Sequence, residues 1–314
     1  MNEPRVVVAG RLPAAGLDLL RAHLAVELAG DGDDAAPLWA QLPGAAAMVV
    51  RPSIAVDADL LDRAGPSLKI VSSFGVGFDH IDLDAARARG VRVTNTPGVL
   101  TDATAELAVA LMLAVARRVA EGDSMVRRGE WRGTDPEAFL GRSLVGATIG
   151  LIGFGRIGRR VAQLLSGFDA RVLFFDDGAE PAHGAQRCGL AELLARADVV
   201  SLHVALTPQT VHLIDADALA AMRSDAILVN ASRGAVVDTV ALIEALRTGQ
   251  IAAAGLDVYE DEPNIPSALR ESRNTVLLPH IGSATQATRD AMARLCAENV
   301  IAVIDGREPP AAVV

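Results

Sequence analysis

A chain of 314 residues, 51% of them hydrophobic, can fill more than one core, which excludes disorder as its resting state. With 39 acidic against 29 basic residues the net charge is -10, so there is no uniform cationic surface for a phosphate backbone and nucleic acid is not an expected partner. The two cysteines, Cys188 and Cys296, lack CxxC spacing or a nearby ligand cluster; they read as small buried hydrophobes, and neither a disulfide scaffold nor a metal is expected.

The opening residues place no cationic segment ahead of Val6-Val7-Val8-Ala9-Gly10, and a cytoplasmic enzyme is the expectation. Short apolar strands are predicted at Val6–Ala9, Ala46–Val50, Leu68–Ser72 and Val91–Thr94, separated by Ala- and Leu-rich segments such as Asp57–Ala64 and Asp82–Arg89. Asn95-Thr96-Pro97-Gly98 signals a turn and a candidate domain boundary, after which Asp102–Arg118 has the composition of a long helix. Within it, Leu107–Ala116 is apolar for only 10 residues, against the roughly 20 that cross a bilayer, so it reads as a buried helix and no membrane contact is expected.

Further strands are predicted at Thr148–Ile152, Arg171–Phe175, Asp198–Leu202, Ala226–Val229, Ala252–Leu256 and Thr275–Leu278, alternating with helical segments. Asp238 suits the N-cap of the helix through Leu246, and Gly249 suits its stop. This alternation predicts an α/β protein with mainly parallel sheets.

The sharpest local pattern is Gly153-Phe154-Gly155-Arg156-Ile157-Gly158, which follows an apolar strand and opens a helical segment through Leu165. Gly153 permits a tight turn, Gly155 lets backbone approach a pyrophosphate, and Gly158 permits close helix packing; amides of Arg156 and Ile157 at the helix start then face the anion. Asp176 ends the next strand 23 residues after Gly153, close to the spacing of about 20 expected for an acid that accepts ribose hydroxyls. A glycine-rich connector holding nothing would share the bare pattern. Asp176 and Asp177 would repel the extra phosphate of NADP, so NAD is the expected cofactor, with NADH preferred and NADP possible.

Three polar residues stand beyond later strands. Arg233 follows Val229-Asn230-Ala231-Ser232 and could grip a carboxylate bidentately, or pair with a surface acid. Glu262 lies in an acidic loop, and His280 follows Leu277-Leu278-Pro279; alone, either could be structural. Together they suit reduction of a 2-oxo acid: His280 donates a proton to the developing alkoxide, Glu262 favours the imidazolium and orients the ring, and Arg233 holds the α-carboxylate.

With these residues the chain resembles, over nearly its whole length, the D-isomer-specific 2-hydroxyacid dehydrogenases. The matching segments are Gly75-Val76-Gly77-Phe78-Asp79, Asn95-Thr96-Pro97-Gly98-Val99, Gly153 to Gly158, Val229 to Gly234, Glu262-Pro263 and Pro279-His280-Ile281-Gly282. The resemblance implies two Rossmann-like domains: a substrate domain at 1–98 plus 283–314, and a dinucleotide-binding domain with a dimerisation arm at 99–282. It implies roles for Arg233, Glu262 and His280 as above, substrate carboxylate binding by Val76 and Gly77 amides, Thr104 beside the cofactor and Asp257 near the nicotinamide amide. Homodimers are also implied.

Asn95 through Glu106 is most similar to the glyoxylate/hydroxypyruvate reductase branch, as are Trp131 and Pro136 in the arm. Thr134 stands where that branch usually has a second tryptophan, and Ala205 stands where the family commonly has proline. Phosphoglycerate dehydrogenase, other D-2-hydroxyacid dehydrogenases and a non-catalytic NAD(H)-sensing corepressor are the alternatives that the same resemblance carries.

Overall fold

The structure, a computed structural model, describes residues 3–30 and 36–314. The chain opens with β1 (Arg5–Ala9), α1 (Ala14–Arg21), β2 (Ala25–Ala29), α2 (Ala36–Gln41), β3 (Ala47–Val50), α3 (Ala58–Ala64), β4 (Ile70–Ser73), α4 (Leu83–Ala88) and β5 (Arg92–Thr94). These strands form a five-stranded parallel sheet in the order β2-β1-β3-β4-β5. Asp57 and Asp82 start α3 and α4 as side-chain caps, each accepting an amide hydrogen bond three residues on.

The middle of the chain runs α5 (Thr101–Ala116), α6 (Val119–Arg127), β6 (Thr148–Ile152), α7 (Arg156–Leu165), β7 (Arg171–Phe175), β8 (Gln186–Arg187), α8 (Leu190–Arg196) and β9 (Val199–Leu202). It continues through α9 (Ala216–Ala221), β10 (Ile227–Asn230), α10 (Thr239–Thr248), β11 (Ala253–Leu256), α11 (Ser267–Arg270) and β12 (Thr275–Leu277), before α12 (Gln286–Ile304) closes the series. The seven strands β6–β12 form a second parallel sheet, ordered β12-β11-β10-β9-β6-β7-β8. Except for β8, which follows β7 with no helix between them, the successive strands of this sheet are joined by helices, the usual parallel crossover.

Two compact units result: Met1–Leu100 with Ser283–Val314, and Thr101–Gly282. In the first, α12 packs on α1 and on β3, β4 and β5, and an aliphatic core including Val7, Met48, Val50, Val71 and Val93 lies on the sheet. In the second, one face of the sheet carries Leu193, Leu194, Val200, Leu228 and Leu242, and the other carries Leu111, Met112, Ile149, Val161 and Val229. Strands β6, β9 and β10 are buried on both faces, which explains their continuous apolar runs.

In the seven-stranded sheet the strand order reverses at β6, whose neighbours are β7 on one side and β9 on the other. Loops leaving the carboxyl ends at such a reversal diverge and open a crevice. The glycine loop leaves β6 there. Among the described residues no helix is long and apolar enough to cross a membrane.

Cys296 is buried as the sequence suggests, but Cys188 is only partly covered because it follows the two-residue edge strand β8.

Candidate active site

The loop after β6 begins at Gly153, whose φ of 93° lies in the left-handed region. A Cβ there would stand 2.6 Å from the His203 carbonyl carbon, and one on Gly158 would stand 2.3 Å from the Gly153 carbonyl oxygen. Neither site admits a side chain. Gly155 differs: nothing lies within 4 Å of its Cβ position, and as the N-cap of α7 it offers the first helical amides no side-chain acceptor. The amides of Arg156, Ile157 and Gly158 therefore form an uncapped helix start beneath open space, the arrangement that a pyrophosphate completes. These residues fit a dinucleotide.

The loop is held from behind. Phe154 is fully buried and stacks on Phe174, with centroids 4.0 Å apart, while the Arg159 guanidinium lies 5.2 Å from its ring centroid and donates to its carbonyl. Asp176, at the end of β7, accepts the Phe154 amide through Oδ2 at 2.8 Å and the Gly178 and Ala179 amides through Oδ1 at 3.0 Å. The residue expected to meet a ribose thus also ties two strand ends together. Asp177 beside it is exposed.

Around the ends of β10, β11 and β12 the other polar residues gather. His280 Nδ1 lies 2.8 Å from Glu262 Oε2, and the Tyr259 amide donates to Glu262 Oε1 at 2.9 Å. His280 itself has a φ of 53°, sparsely populated for a residue with a Cβ, and its amide donates to the Asp257 carbonyl at 2.9 Å. Burial by itself would raise the Glu262 carboxyl; the hydrogen bond and charge of His280, the Tyr259 amide and the nearby Arg233 charge outweigh it and hold the group below the usual carboxylate value. Arg233 follows β10 and donates from Nη1 to the Ser232 carbonyl at 2.9 Å, and Asn230 Nδ2 donates to the Arg233 carbonyl at 2.8 Å.

Asp257 is buried and accepts the Ile281 and Gly282 amides, each at 2.7 Å. Burial pushes its carboxyl up more strongly than those amides and the His280 charge pull it down. It fixes the turn that carries His280. The Cβ position of Gly282 lies 3.3 Å from Asp257 Oδ2 and 3.5 Å from Thr104 Cγ2, so Thr104 on α5, Asp257 and Gly282 meet. The sequence reading did not single out Tyr259, whose hydroxyl donates to the Leu278 carbonyl at 2.9 Å while its amide holds Glu262.

Val76 and Gly77 belong to the first unit, in the loop after β4. Their carbonyls are held by Asn95 Nδ2 at 2.7 Å and Ser73 Oγ at 3.3 Å. Ala205 begins a loop in which Thr210 Oγ1 donates to its carbonyl at 2.7 Å, so a side-chain hydrogen bond now stiffens the position where proline is absent.

Residues 109–282 match the model of the D-isomer specific 2-hydroxyacid dehydrogenase NAD binding domain. The chain is 46% identical over 319 residues to a glyoxylate reductase of Thermococcus litoralis, covering 98% of this chain and 96% of that one. It is 44% identical over 322 residues to a glyoxylate reductase of Aeropyrum pernix, covering 99% and 96%. Among solved structures, a protein of Thermus thermophilus superposes with a TM-score of 0.93 at 48% identity, covering 99% of this chain and all 100% of that one. The NADPH-dependent glyoxylate/hydroxypyruvate reductase of Sinorhizobium meliloti, solved with NADP and malonate, superposes with a TM-score of 0.91 at 36% identity, covering 100% and 97%.

Proposed function

The chain belongs to the D-isomer specific 2-hydroxyacid dehydrogenase family, and on that premise we propose that it reduces small 2-oxo acids, glyoxylate and hydroxypyruvate foremost, to glycolate and D-glycerate. The observation that carries the reading is the 2.8 Å contact of His280 Nδ1 with Glu262 Oε2, within the unit that also holds the uncapped glycine loop.

A bound nicotinamide dinucleotide supplies the hydride to the carbonyl carbon. His280 supplies the proton to the carbonyl oxygen, from Nε2, because Nδ1 is turned to Glu262. Glu262 stabilises the charged imidazole before transfer and orients it during transfer. Arg233 holds the substrate carboxylate. Thr104 and Asp257 would border the nicotinamide end of a bound cofactor, and Gly153, Gly155, Arg156, Ile157 and Gly158 would hold its pyrophosphate.

NADH is the preferred cofactor in this reading, because Asp176 and Asp177 put negative charge where the extra phosphate of NADPH would bring more. The Sinorhizobium meliloti relative uses NADPH, so the comparison is informative. The working form is a homodimer, supported by the exposed apolar side chains of Trp131, Leu140 and Val145 in the second unit.

The test is steady-state kinetics with glyoxylate, hydroxypyruvate, pyruvate, 3-phosphohydroxypyruvate and a branched 2-oxo acid, with each cofactor and chiral analysis of the product. Highest kcat/KM with glyoxylate or hydroxypyruvate, NADH at least equal to NADPH, and D-glycerate are expected. His280→Ala is expected to lose about 100- to 10,000-fold in kcat with cofactor affinity retained. Preference for the branched or phosphorylated acid would reject the substrate assignment, and cofactor binding with no turnover of any 2-oxo acid would favour the sensor alternative.

A further inference from the structure

The loop that carries Glu262 also carries a second histidine–carboxylate pair, two residues earlier. His212 Nε2 lies 2.6 Å from Glu260 Oε1, and Glu260 Oε2 accepts the amide of Thr239, the first residue of α10, at 3.3 Å. Glu260 therefore joins three segments: the one ending in His212, the one running from Arg233 into α10, and its own.

Backbone contacts set the same three segments against one another. His212 donates its amide to the Ala235 carbonyl at 2.8 Å, and Ile214 and Val236 continue the pairing at 3.0 Å. Gly234, directly after Arg233, is so close to the Glu260 segment that a Cβ on it would lie 1.8 Å from the Tyr259 carbonyl carbon and 2.3 Å from the Glu260 nitrogen. Tyr259 in turn donates its amide to Glu262. Arg233 and Glu262 are thus each one or two residues from a junction that Glu260 closes.

We propose that Glu260, fastened by His212, is a positioning residue for the reaction: it fixes the segment bearing Glu262, and through it His280, against the segment bearing Arg233. This rests on the reductase reading. The carboxyl of Glu260 would be raised by burial, but the hydrogen bonds from His212 and Thr239 bring it below its usual value, so it is charged. His212 is shifted upward, first by the Glu260 hydrogen bond against the opposing effect of burial, and then by the charges of Glu260, Asp238 and Asp215 that face it.

Both side chains of the pair are more than a third exposed or close to it, at 40% and 35%, and an exposed ion pair adds little to global stability. The placement at the junction gives it a different use. Loss of the tether should be read in the geometry of His280 and Glu262 rather than in the melting temperature.

The experiment compares the full-length wild type with Glu260→Ala, Glu260→Gln and His212→Ala. It measures kcat and KM for glyoxylate with NADH, melting temperature, and the NMR signals of the His280 imidazole at one fixed pH, assigned by their disappearance in His280→Ala. For Glu260→Ala we expect a loss of about 10- to 100-fold in kcat, the scale of a displaced catalytic group, with NADH affinity unchanged. The His280 imidazole signals should move from their wild-type positions as Glu262 is released, and Glu260→Gln, whose one carbonyl oxygen can accept the Thr239 amide while its NH2 faces His212 Nε2, should restore part of kcat. In a double variant carrying both Glu260→Ala and His212→Ala, the two effects on kcat should be less than additive. Wild-type kcat and unmoved His280 signals in folded Glu260→Ala would overturn the proposal, as would a kcat loss that only tracks melting temperature with those signals unmoved. If the wild type turns over no 2-oxo acid, the reductase reading fails, while the His280 imidazole signals still decide the positioning.

Discussion

His203 shows how a single side chain can couple pH to the dinucleotide crevice. It follows β9, its backbone fills the space that a Cβ on Gly153 would need, its Nε2 lies 3.0 Å from Ser201 Oγ, and its Nδ1 is buried without a hydrogen-bond partner. Burial pushes the imidazole from 6.5 down to about 4, so the folded protein holds it neutral where the unfolded chain would protonate it. The unfolded state then binds the extra proton between those two values, and stability from this residue is full above about 6.5 and falls as the pH drops towards 4. The whole window corresponds to at most about 3 kcal/mol. Urea unfolding at pH 7 and pH 5 should show the loss, and His203→Gln should shrink the difference between the two pH values; an equal pH dependence in both proteins would remove His203 as its source. At this scale, Arg233 and His280 could be singled out because each is a polar residue just beyond an apolar strand, whereas Glu262, in the acidic loop after β11, was singled out only as part of the set. Tyr259 and Glu260 were not, since their parts depend on a main-chain amide and on a histidine 48 residues away.

Elements were legible where punctuation and burial agree. Asp238 Oδ1 accepts the Val240 and Ala241 amides at 2.9 and 3.0 Å, and Gly249 ends α10 with a φ of 74°, so both predicted signals act as read. Asp238→Ala should cost about 1 kcal/mol, measured as a lower urea midpoint with an unchanged slope; a midpoint equal to wild type would mean that packing alone holds the helix end. The strands β2 and β8 escaped the sequence reading for a physical reason. β2 is an edge strand with Glu27 and Leu28 exposed, and β8 is two residues long and pairs only with Leu173 and Phe174, so neither leaves an apolar run. Helix α12 escaped differently: Met292, Ala293, Cys296, Ala297, Asn299, Val300, Ile301 and Ala302 are all buried, which spreads burial around the helix and erases a single apolar stripe. Its contact with α1 is close enough that a Cβ on Gly16 would lie 2.3 Å from the Ala293 carbonyl oxygen.

For the whole molecule, the proposed homodimer has a sharp test. Helix α6 has no buried residue, and Val126, Trp131, Leu140 and Val145 are 59%, 59%, 69% and 65% exposed, an apolar surface that water disfavours and a second copy could cover. Sedimentation should give a dimer, and Trp131→Glu with Leu140→Glu should shift it towards monomer; a wild-type monomer at micromolar concentration would reject the arm as an interface. Composition and alternation made the α/β class and parallel sheets legible, whereas the return of residues 283–314 to the first unit came only through resemblance, because nothing local in a helix states which distant sheet it will cover. That return also sets an order of events at the ribosome. The sheet begun at Arg5 lacks the helix that covers β3 and β4 until residues 286–304 emerge, while Thr101–Gly282 is by then entirely synthesised. At roughly 5 to 20 residues per second, the first unit waits on the order of ten seconds or more with β3 and β4 lacking that helix. The part started first is therefore the part completed last, and its half-built sheet is the stretch of nascent chain that a chaperone would have most reason to hold.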